Sequence, residues 1–135
     1  IDHKKIEKVL KLSNLYEFVS KLEKGVHSKV GERGVQLSGG QRQRIGIART
    51  LYYDADVLIF DEATSALDGI TEKIIMDSIQ DFTGKKTLIL IAHRLKTIKK
   101  CDEIFMMKNG KIVDYGDYDY LLSNNKQFKK MSDNA

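Results

Sequence analysis

The order of apolar and polar positions along the chain changes character near residue 53. Before that point, one predicted helix carries apolar residues on a single face, at Leu15, Phe18, Val19 and Leu22. Asn14, with Glu17 three positions later, predicts a capping box at its start. A shorter helix around Ile6 precedes it. The pattern therefore predicts a helical subdomain over residues 1–52 and a second part over residues 53–135.

Short β-branched runs alternate with helices in the second part. Residues 57–60 and 87–91 are almost wholly apolar, which predicts parallel strands covered on both faces. The helical spacing between them, at Ile70, Ile74, Ile75, Ile79 and Phe82, predicts the crossover helix of a βαβ unit. An Asn109-Gly110 turn predicts a β-hairpin, and two short helices, about 117–123 and 126–131, follow it. The predicted class is α/β.

The composition is that of a globular protein, with 41% apolar residues, 31% charged residues and a net charge of +4. The longest apolar run, residues 88–92, is far shorter than the ~20 residues that a membrane-spanning helix needs. The single cysteine, Cys101, excludes an internal disulfide and a cysteine-rich zinc site. The surplus lysines are scattered and lack interleaved aromatic residues, which favours a solvated surface over a nucleic-acid interface.

The segment Leu37-Ser38-Gly39-Gly40-Gln41 predicts an anion-binding turn. Glycine N–H groups can approach a ligand closely, and the helix expected from Gln41 onward directs its positive end at them. Ser38 adds a hydroxyl donor. Ile45, Ala48 and Tyr52 are the expected inward face of this helix. A bare Gly-Gly pair would indicate only a loop, but here the whole pentapeptide precedes a strand that ends in two carboxylates.

Asp61 and Glu62 follow the first buried strand, and His93 follows the second. The carboxyl ends of parallel strands meet at the edge where α/β proteins bind ligands. Because side chains alternate along a strand, Asp61 and Glu62 are expected to point in different directions. Asp61 suits the water shell of Mg²⁺, and Glu62 suits a general base that aligns the attacking water. His93 could hydrogen-bond a γ-phosphate at the same edge.

The chain lacks the phosphate-wrapping loop Gly-x-x-x-x-Gly-Lys-Ser/Thr. The nearest approximation, residues 84–87, has Ile79 at the position of the first glycine and is followed by a predicted strand. Together with a start on Ile1, this absence indicates half of a nucleotide triphosphatase domain.

These motifs together resemble the C-terminal half of an ATP-binding cassette (ABC) domain of the exporter type. Residues 37–41 match the family's signature motif, 57–62 its Walker B strand, 65–68 its D-loop and His93 its switch histidine. Val30-Gly31-Glu32-Arg33-Gly34 resembles the exporter segment that touches the membrane domain. Gly46 and Thr50 depart from the family, which has alanine there, and Gly46 should cost its helix ~1 kcal/mol.

The resemblance implies a partial P-loop NTPase-like fold and a head-to-tail pair of cassettes with ATP between them. Ser38, Gly39, Gly40 and Gln41 would bind the nucleotide held by the partner. Glu62 and His93 would act on the chain's own ATP, with Asp61 near Mg²⁺, and Asp68 would cross the interface.

The implied activity is ATP hydrolysis coupled to export or lipid flipping. A transmembrane domain in the same protein would hold the cassette at the cytoplasmic face of the cell membrane, and Glu32 would relay the motion to it. No nucleic-acid partner is expected. The piece alone is expected to be inactive, because the loop that holds the phosphates is missing.

Two alternatives stay open at this point. A soluble cassette ATPase acting on nucleic acid or ribosomes would share the signature turn and the carboxylates, but not the exporter-like residues 30–34. A non-catalytic nucleotide-gated clamp would not need Glu62. The resemblance implies that the membrane domain, and not the cassette, selects the transported substrate.

Overall fold

The computed structural model describes residues 1–31, 34–82, 84–92 and 95–133. It contains two compact units, Ile1–Ile89 and Leu90–Ala135. The predicted division after residue 52 stays a prediction. The mixed α/β class is confirmed. In the described residues the α-helices are α1 His3–Leu12, α2 Tyr16–Ser20, α3 Gly39–Tyr53, α4 Gly69–Gln80, α5 Leu95–Ile98, α6 Tyr118–Asn124 and α7 Lys126–Asp133. A short 3-10 helix covers Gly25–His27. The strands are β1 Val57–Asp61, β2 Thr87–Ile91, β3 Ile104–Lys108 and β4 Lys111–Gly116.

The first two helices differ from their prediction. The earlier one, α1, is the longer, and the Asp2 carboxylate caps it by accepting from the Lys5 N–H group at 3.0 Å. The predicted capping box at Asn14 is wrong. Asn14 has a left-handed backbone with φ +53°, and α2 begins after Leu15 without a side-chain cap. Because Asn tolerates this conformation better than most residues, it serves the turn that lets Leu15 become fully buried.

Helix α3 begins at Gly39, two residues before the predicted start, and its buried face differs from the predicted one. Ile47, Ala48 and Leu51 are buried, whereas the predicted Ile45 and Tyr52 are only half-buried. The Tyr52 hydroxyl accepts a hydrogen bond from the Asp2 N–H group at 3.2 Å. This bond keeps the tyrosine at the rim of the core, where its polar end has a partner.

Strands β1 and β2 lie side by side in one sheet and α4 connects them. The Thr87 N–H group donates to the Asp56 carbonyl at 2.8 Å. This bond joins the starts of the two strands, so they run in the same direction, as the βαβ pattern predicts.

The prediction that helices cover both faces of these strands is wrong. Leu58 and Phe60 are buried, but Val57, Ile59 and Ile89 on the other face are 51%, 59% and 44% exposed. A parallel strand is buried twice only where helices lie on both sides of its sheet. The described helices of the first unit cover one side, so an apolar face remains exposed.

Lys86 holds the start of the sheet to the end of α3. Its side chain is only 12% exposed, and its ammonium group lies 2.8 Å from the Asp54 carboxylate. It also donates to the carbonyl groups of Asp54 and Ala55 at 3.1 and 2.9 Å. The ammonium group lowers the pKa of Asp54. A cation at a helix C-terminus also interacts favourably with the helix dipole.

Replacing Lys86 with methionine should lower the free energy of unfolding by about 2 kcal/mol, because hydrogen bonds to charged groups are worth roughly 1.5–3 kcal/mol. Urea denaturation followed by circular dichroism measures the change. Lys85→Met is the matched control, since Lys85 is exposed and a surface substitution changes stability by less than about 0.5 kcal/mol. Equal losses in the two variants would contradict the assigned role of Lys86.

The second unit consists of the predicted hairpin and helices. Strands β3 and β4 pair antiparallel with a bulge between Met106 and Met107. Asn109 and Gly110 both have positive φ, +51° and +73°, as a two-residue hairpin turn of this type requires. The core of the unit consists of Leu95, Ile104, Leu121 and Phe128. Helix α5 was not predicted. Within the described residues, no helix has the length and apolar content needed to span a bilayer.

Candidate nucleotide-binding site

The turn before α3 is built by a reciprocal cap. The Ser38 hydroxyl accepts from the Gln41 N–H group at 3.1 Å, and the Gln41 side-chain oxygen accepts from the Ser38 N–H group at 2.8 Å. The N–H groups of Gly39 and Gly40 precede the first intrahelical bond and find no acceptor among the described residues. Two donors at the positive end of a helix of 15 residues form a site suited to an anion.

The glycines of this turn also pack against the segment that follows β1. A Cβ atom on Gly40 would lie 3.3 Å from both the Ala66 carbonyl oxygen and Leu67 Cδ2. A Cβ atom on Gly39 would lie at an ordinary 3.6 Å from Ala66 Cβ. Sequence reasoning assigned both glycines to ligand approach alone. The structure shows a second reason for a glycine at position 40, because a side chain there would crowd residues 66–67 of the same chain.

Two arginines of α3 also hold the turn. The Arg42 guanidinium donates to the Leu37 carbonyl at 2.7 Å. Arg44 donates to the carbonyl groups of Gly40, at 3.4 Å, and of Asn14. These side chains therefore brace the backbone of the turn.

The two carboxylates at the end of β1 differ in backbone conformation. Asp61 is the last residue of the strand, on the exposed face that also carries Val57 and Ile59. Glu62 lies beyond the strand and has φ +46°, so the predicted alternation along the strand does not apply to it. A glutamate in the left-handed region is strained, and such strain clusters at functional sites.

Gln43, which sequence reasoning missed, joins α3 to the segment after Glu62. Its side-chain nitrogen donates to the Ser65 hydroxyl at 2.9 Å and to the Glu62 carbonyl at 3.4 Å. Its side-chain oxygen accepts from the Ala66 N–H group at 3.0 Å. Gln43 lies in α3, the helix that follows the signature turn. This position next to the motif is the only feature of the sequence that could have indicated its role.

Asp68 caps α4. Its Oδ1 atom accepts from the N–H groups of Ile70 and Thr71 at 3.1 and 3.0 Å. The hydrogen bonds from Thr71 lower the pKa of Asp68. In the same connection, the buried Thr64 donates to the Glu72 carboxylate at 3.0 Å. The segment between Glu62 and α4 is therefore fixed by side chains at both ends.

The cap makes a pH-dependent contribution to stability. Because the folded pKa of Asp68 lies below its ordinary value of 3.8, its contribution is complete above that value and is lost as the pH falls through the folded pKa. Asp68→Asn should therefore be less stable than the natural chain at pH 7, and this difference should shrink below about pH 4. Urea denaturation at several pH values measures it. A difference that stays constant down to pH 2 would contradict the role of the ionised cap.

The structure brings most of the predicted site residues into one region of the first unit. The turn of Ser38, Gly39, Gly40 and Gln41 contacts residues 66–67, and Gln43 links the same helix to residues 62–66. Asp68 follows directly. His93, Glu32 and Arg33 lie outside the described residues, so the parts predicted for His93 in catalysis and for Glu32 in relaying motion stay predictions.

Three comparisons with known proteins show which proteins the chain resembles. A sequence model of the ABC transporter family matches residues 2–65. The heterocyst differentiation ATP-binding protein HepA of Nostoc sp. is 50% identical over 117 residues, which cover 87% of this chain and 19% of HepA. The ATP-dependent lipid A-core flippase of Pseudoalteromonas translucida is 47% identical over 131 residues, covering 97% of this chain and 22% of the flippase.

A solved structure of a bacterial Atm1-family ABC exporter with ATP bound superposes with a TM-score of 0.92 and 36% identity. The match covers 98% of this chain and 24% of the exporter chain. The chain spans about a fifth of the length of the curated relatives it matches. The likeness covers both units, and the exporter-type resemblance inferred from the motifs is confirmed. On these grounds the chain belongs to the ABC transporter family.

Proposed function

We propose that this chain is part of the ATP-hydrolysing domain of an ABC exporter or flippase. One observation carries the proposal: a capped turn with two unpaired glycine N–H groups packs beside a strand end where Glu62 has a strained, left-handed backbone. An anion-binding turn and a carboxylate able to activate water are two requirements for hydrolysis of a nucleotide triphosphate. The likeness to a lipid A-core flippase and to an ATP-bound exporter supports the coupling to transport.

The proposed roles follow the head-to-tail pairing of the family. The N–H groups of Gly39 and Gly40, with the Ser38 hydroxyl, bind the terminal phosphate of ATP held by the partner cassette. Gln41 keeps the turn in shape through its bond to the Ser38 N–H group. Glu62 aligns and deprotonates the attacking water at the chain's own nucleotide. His93 assists Glu62, and Asp68 meets the partner across the interface.

Asp61 is the proposed contact to magnesium. No group of three or more His, Cys, Asp or Glu side chains in the described residues could hold a metal ion. A single exposed carboxylate nevertheless fits Mg²⁺, which keeps several of its waters and binds through one or two carboxylates and the phosphates. Bound Mg²⁺ would neutralise charge that develops on the phosphate oxygens. Asp61 would accept hydrogen bonds from its waters.

The partners and location follow from the same proposal. A second cassette completes each ATP site, and a transmembrane domain in the same protein uses the opening and closing of the pair. The cassette would then lie at the cytoplasmic face of the cell membrane. Without the loop that cradles the phosphates, these 135 residues alone would bind ATP poorly and hydrolyse it negligibly.

A complementation experiment with the full-length protein that carries this chain tests the pairing. Ser38→Arg blocks the turn, Glu62→Gln removes the base, and each variant alone should hydrolyse almost no ATP. In a head-to-tail pair of one protomer of each kind, one site combines the intact turn with the intact carboxylate. Random pairing in equal co-expression therefore predicts about a quarter of the natural turnover.

The result expected under the opposite arrangement is different. If the turn and Glu62 of one protomer acted on the same nucleotide, no mixed pair would contain an intact site, and co-expression would restore nothing. Chromatography of the co-expressed proteins verifies that mixed pairs form. Absent turnover in verified mixed pairs would contradict the head-to-tail proposal.

A further inference from the structure

We propose that Gln43 is a positioning residue that holds Glu62 in its reactive conformation. The inference rests on the proposed function, in which Glu62 activates water. It concerns a side chain that does not contact the nucleotide and that acts through the backbone of the glutamate.

The Gln43 amide makes several hydrogen bonds to a single short segment. The side-chain nitrogen of Gln43 donates to the Ser65 hydroxyl at 2.9 Å and to the Glu62 carbonyl at 3.4 Å. Its side-chain oxygen accepts from the Ala66 N–H group at 3.0 Å. Gln43 is half-buried as a residue, and its three side-chain bonds lie at the solvent-exposed surface. Three bonds to residues within five positions fix the path of this segment relative to α3.

The backbone of Glu62 is strained. A non-glycine residue with φ +46° costs roughly 1–2 kcal/mol, because its Cβ atom crowds the backbone. Such a conformation persists only where the surroundings over-determine it. The Glu62 carbonyl accepts from the Ser65 N–H group at 3.0 Å as well as from Gln43. The Ser65 bond closes the turn locally, and Gln43 ties the same turn to a helix.

The backbone of Glu62 sets the position of its carboxylate. The direction of the Glu62 carbonyl fixes the rotation of its backbone, and this rotation determines where the side chain starts. A general base must lie within hydrogen-bond reach of the proton it removes, and a displacement of about 1 Å can cost on the order of 100-fold in rate. Gln43 therefore acts on the rate of the chemical step and leaves ATP binding to the turn and the phosphate loop.

The experiment measures kcat and KM for ATP in the full-length protein with Gln43→Met, which keeps the length of the side chain and removes all three bonds. We expect kcat to fall by about 10- to 100-fold and KM to change by less than about twofold, because uniform binding is unaffected. Gln43→Glu, which keeps an acceptor for the Ala66 N–H group but loses the donor, should lower kcat in the same way. Arg49→Met is the control, since Arg49 is exposed on the same helix.

A double variant distinguishes positioning from a general structural role. If Gln43 acts through Glu62, adding Gln43→Met to Glu62→Gln should slow single-turnover hydrolysis no further. An additive loss, or a natural kcat in both Gln43 variants, would overturn the inference. Unchanged turnover in Glu62→Gln itself would instead overturn the proposed function. A Gln43→Met protein that does not fold leaves Gln43→Glu, and the same double variant made with it, to decide.

Discussion

Replacing Glu62 with glycine is expected to stabilise the fold while it abolishes ATP turnover. Glu62 has φ +46°, which glycine adopts without the crowding of a Cβ atom. Relative to Glu62→Gln, which keeps the strain, the glycine variant should gain about 0.5–1 kcal/mol in the free energy of unfolding. Both variants lack the proposed base, and both should lose at least about 100-fold in kcat in the full-length protein.

The pair of variants separates strain from chemistry. Urea denaturation of this chain gives the free energies of unfolding, and ATP hydrolysis by the full-length protein gives the rates. The glutamine variant is the matched control, because it keeps the size and backbone strain of glutamate and replaces the carboxylate with a neutral amide. Equal stability of the two variants would contradict the strain. Turnover within a few-fold of the natural rate in either variant would contradict the role as base.

This trade-off is typical of a site in which local stability is given up for geometry. Glu62 is exposed, so packing in the core does not explain why a glutamate occupies this strained position. Gln43, Ser65 and the packing of Gly40 on Ala66 together hold the segment against its strain. The same contacts link the anion-binding turn to the carboxylate, although the two are proposed to serve different nucleotides.

Much of the fold could be predicted from local patterns, and the failures have physical causes. The Asn-Gly hairpin and the βαβ unit follow from turn chemistry and periodicity, which act over a few residues. The cap at Asn14 failed because Asn also suits a left-handed turn, and the sequence alone does not say which use applies. The two-sided burial of β1 failed because an apolar run shows only that a strand can be covered, while Val57 and Ile59 are exposed.

The candidate site divides in the same way. The signature turn and the carboxylates were visible as residue types at fixed spacing, and the ABC resemblance they carried is confirmed by the relatives. The roles of Gln43 and Lys86 could not be predicted from the sequence. Their side chains bind carbonyl and hydroxyl groups about 20 to 30 positions away, which only folding brings near. The reciprocal cap of Ser38 and Gln41 could have been read from the sequence, since Ser-x-x-Gln is a capping-box pattern.

A larger side chain should have opposite effects on stability at two glycines of α3, lowering it at Gly40 and raising it at Gly46. Gly40→Val should lower ATP turnover of the full-length protein by at least about 100-fold, because its side chain displaces the turn from the geometry proposed for catalysis. A Cβ atom there already lies 3.3 Å from the Ala66 carbonyl and from Leu67 Cδ2, and the branched γ carbons crowd them further. Overpacking of this kind costs about 1–3 kcal/mol, so the chain should also be less stable.

Gly46→Ala is the matched control for this prediction. Apart from the adjacent backbone of its own helix, no atom of the described residues lies within 4 Å of a Cβ atom built on Gly46, which is exposed in the interior of α3. Alanine should therefore raise the free energy of unfolding by about 1 kcal/mol and leave turnover unchanged. Turnover assays and urea denaturation of both variants measure these effects. If Gly40→Val hydrolysed ATP at the natural rate, the turn would not need its close contact with residues 66–67, and the proposed geometry of the site would be wrong.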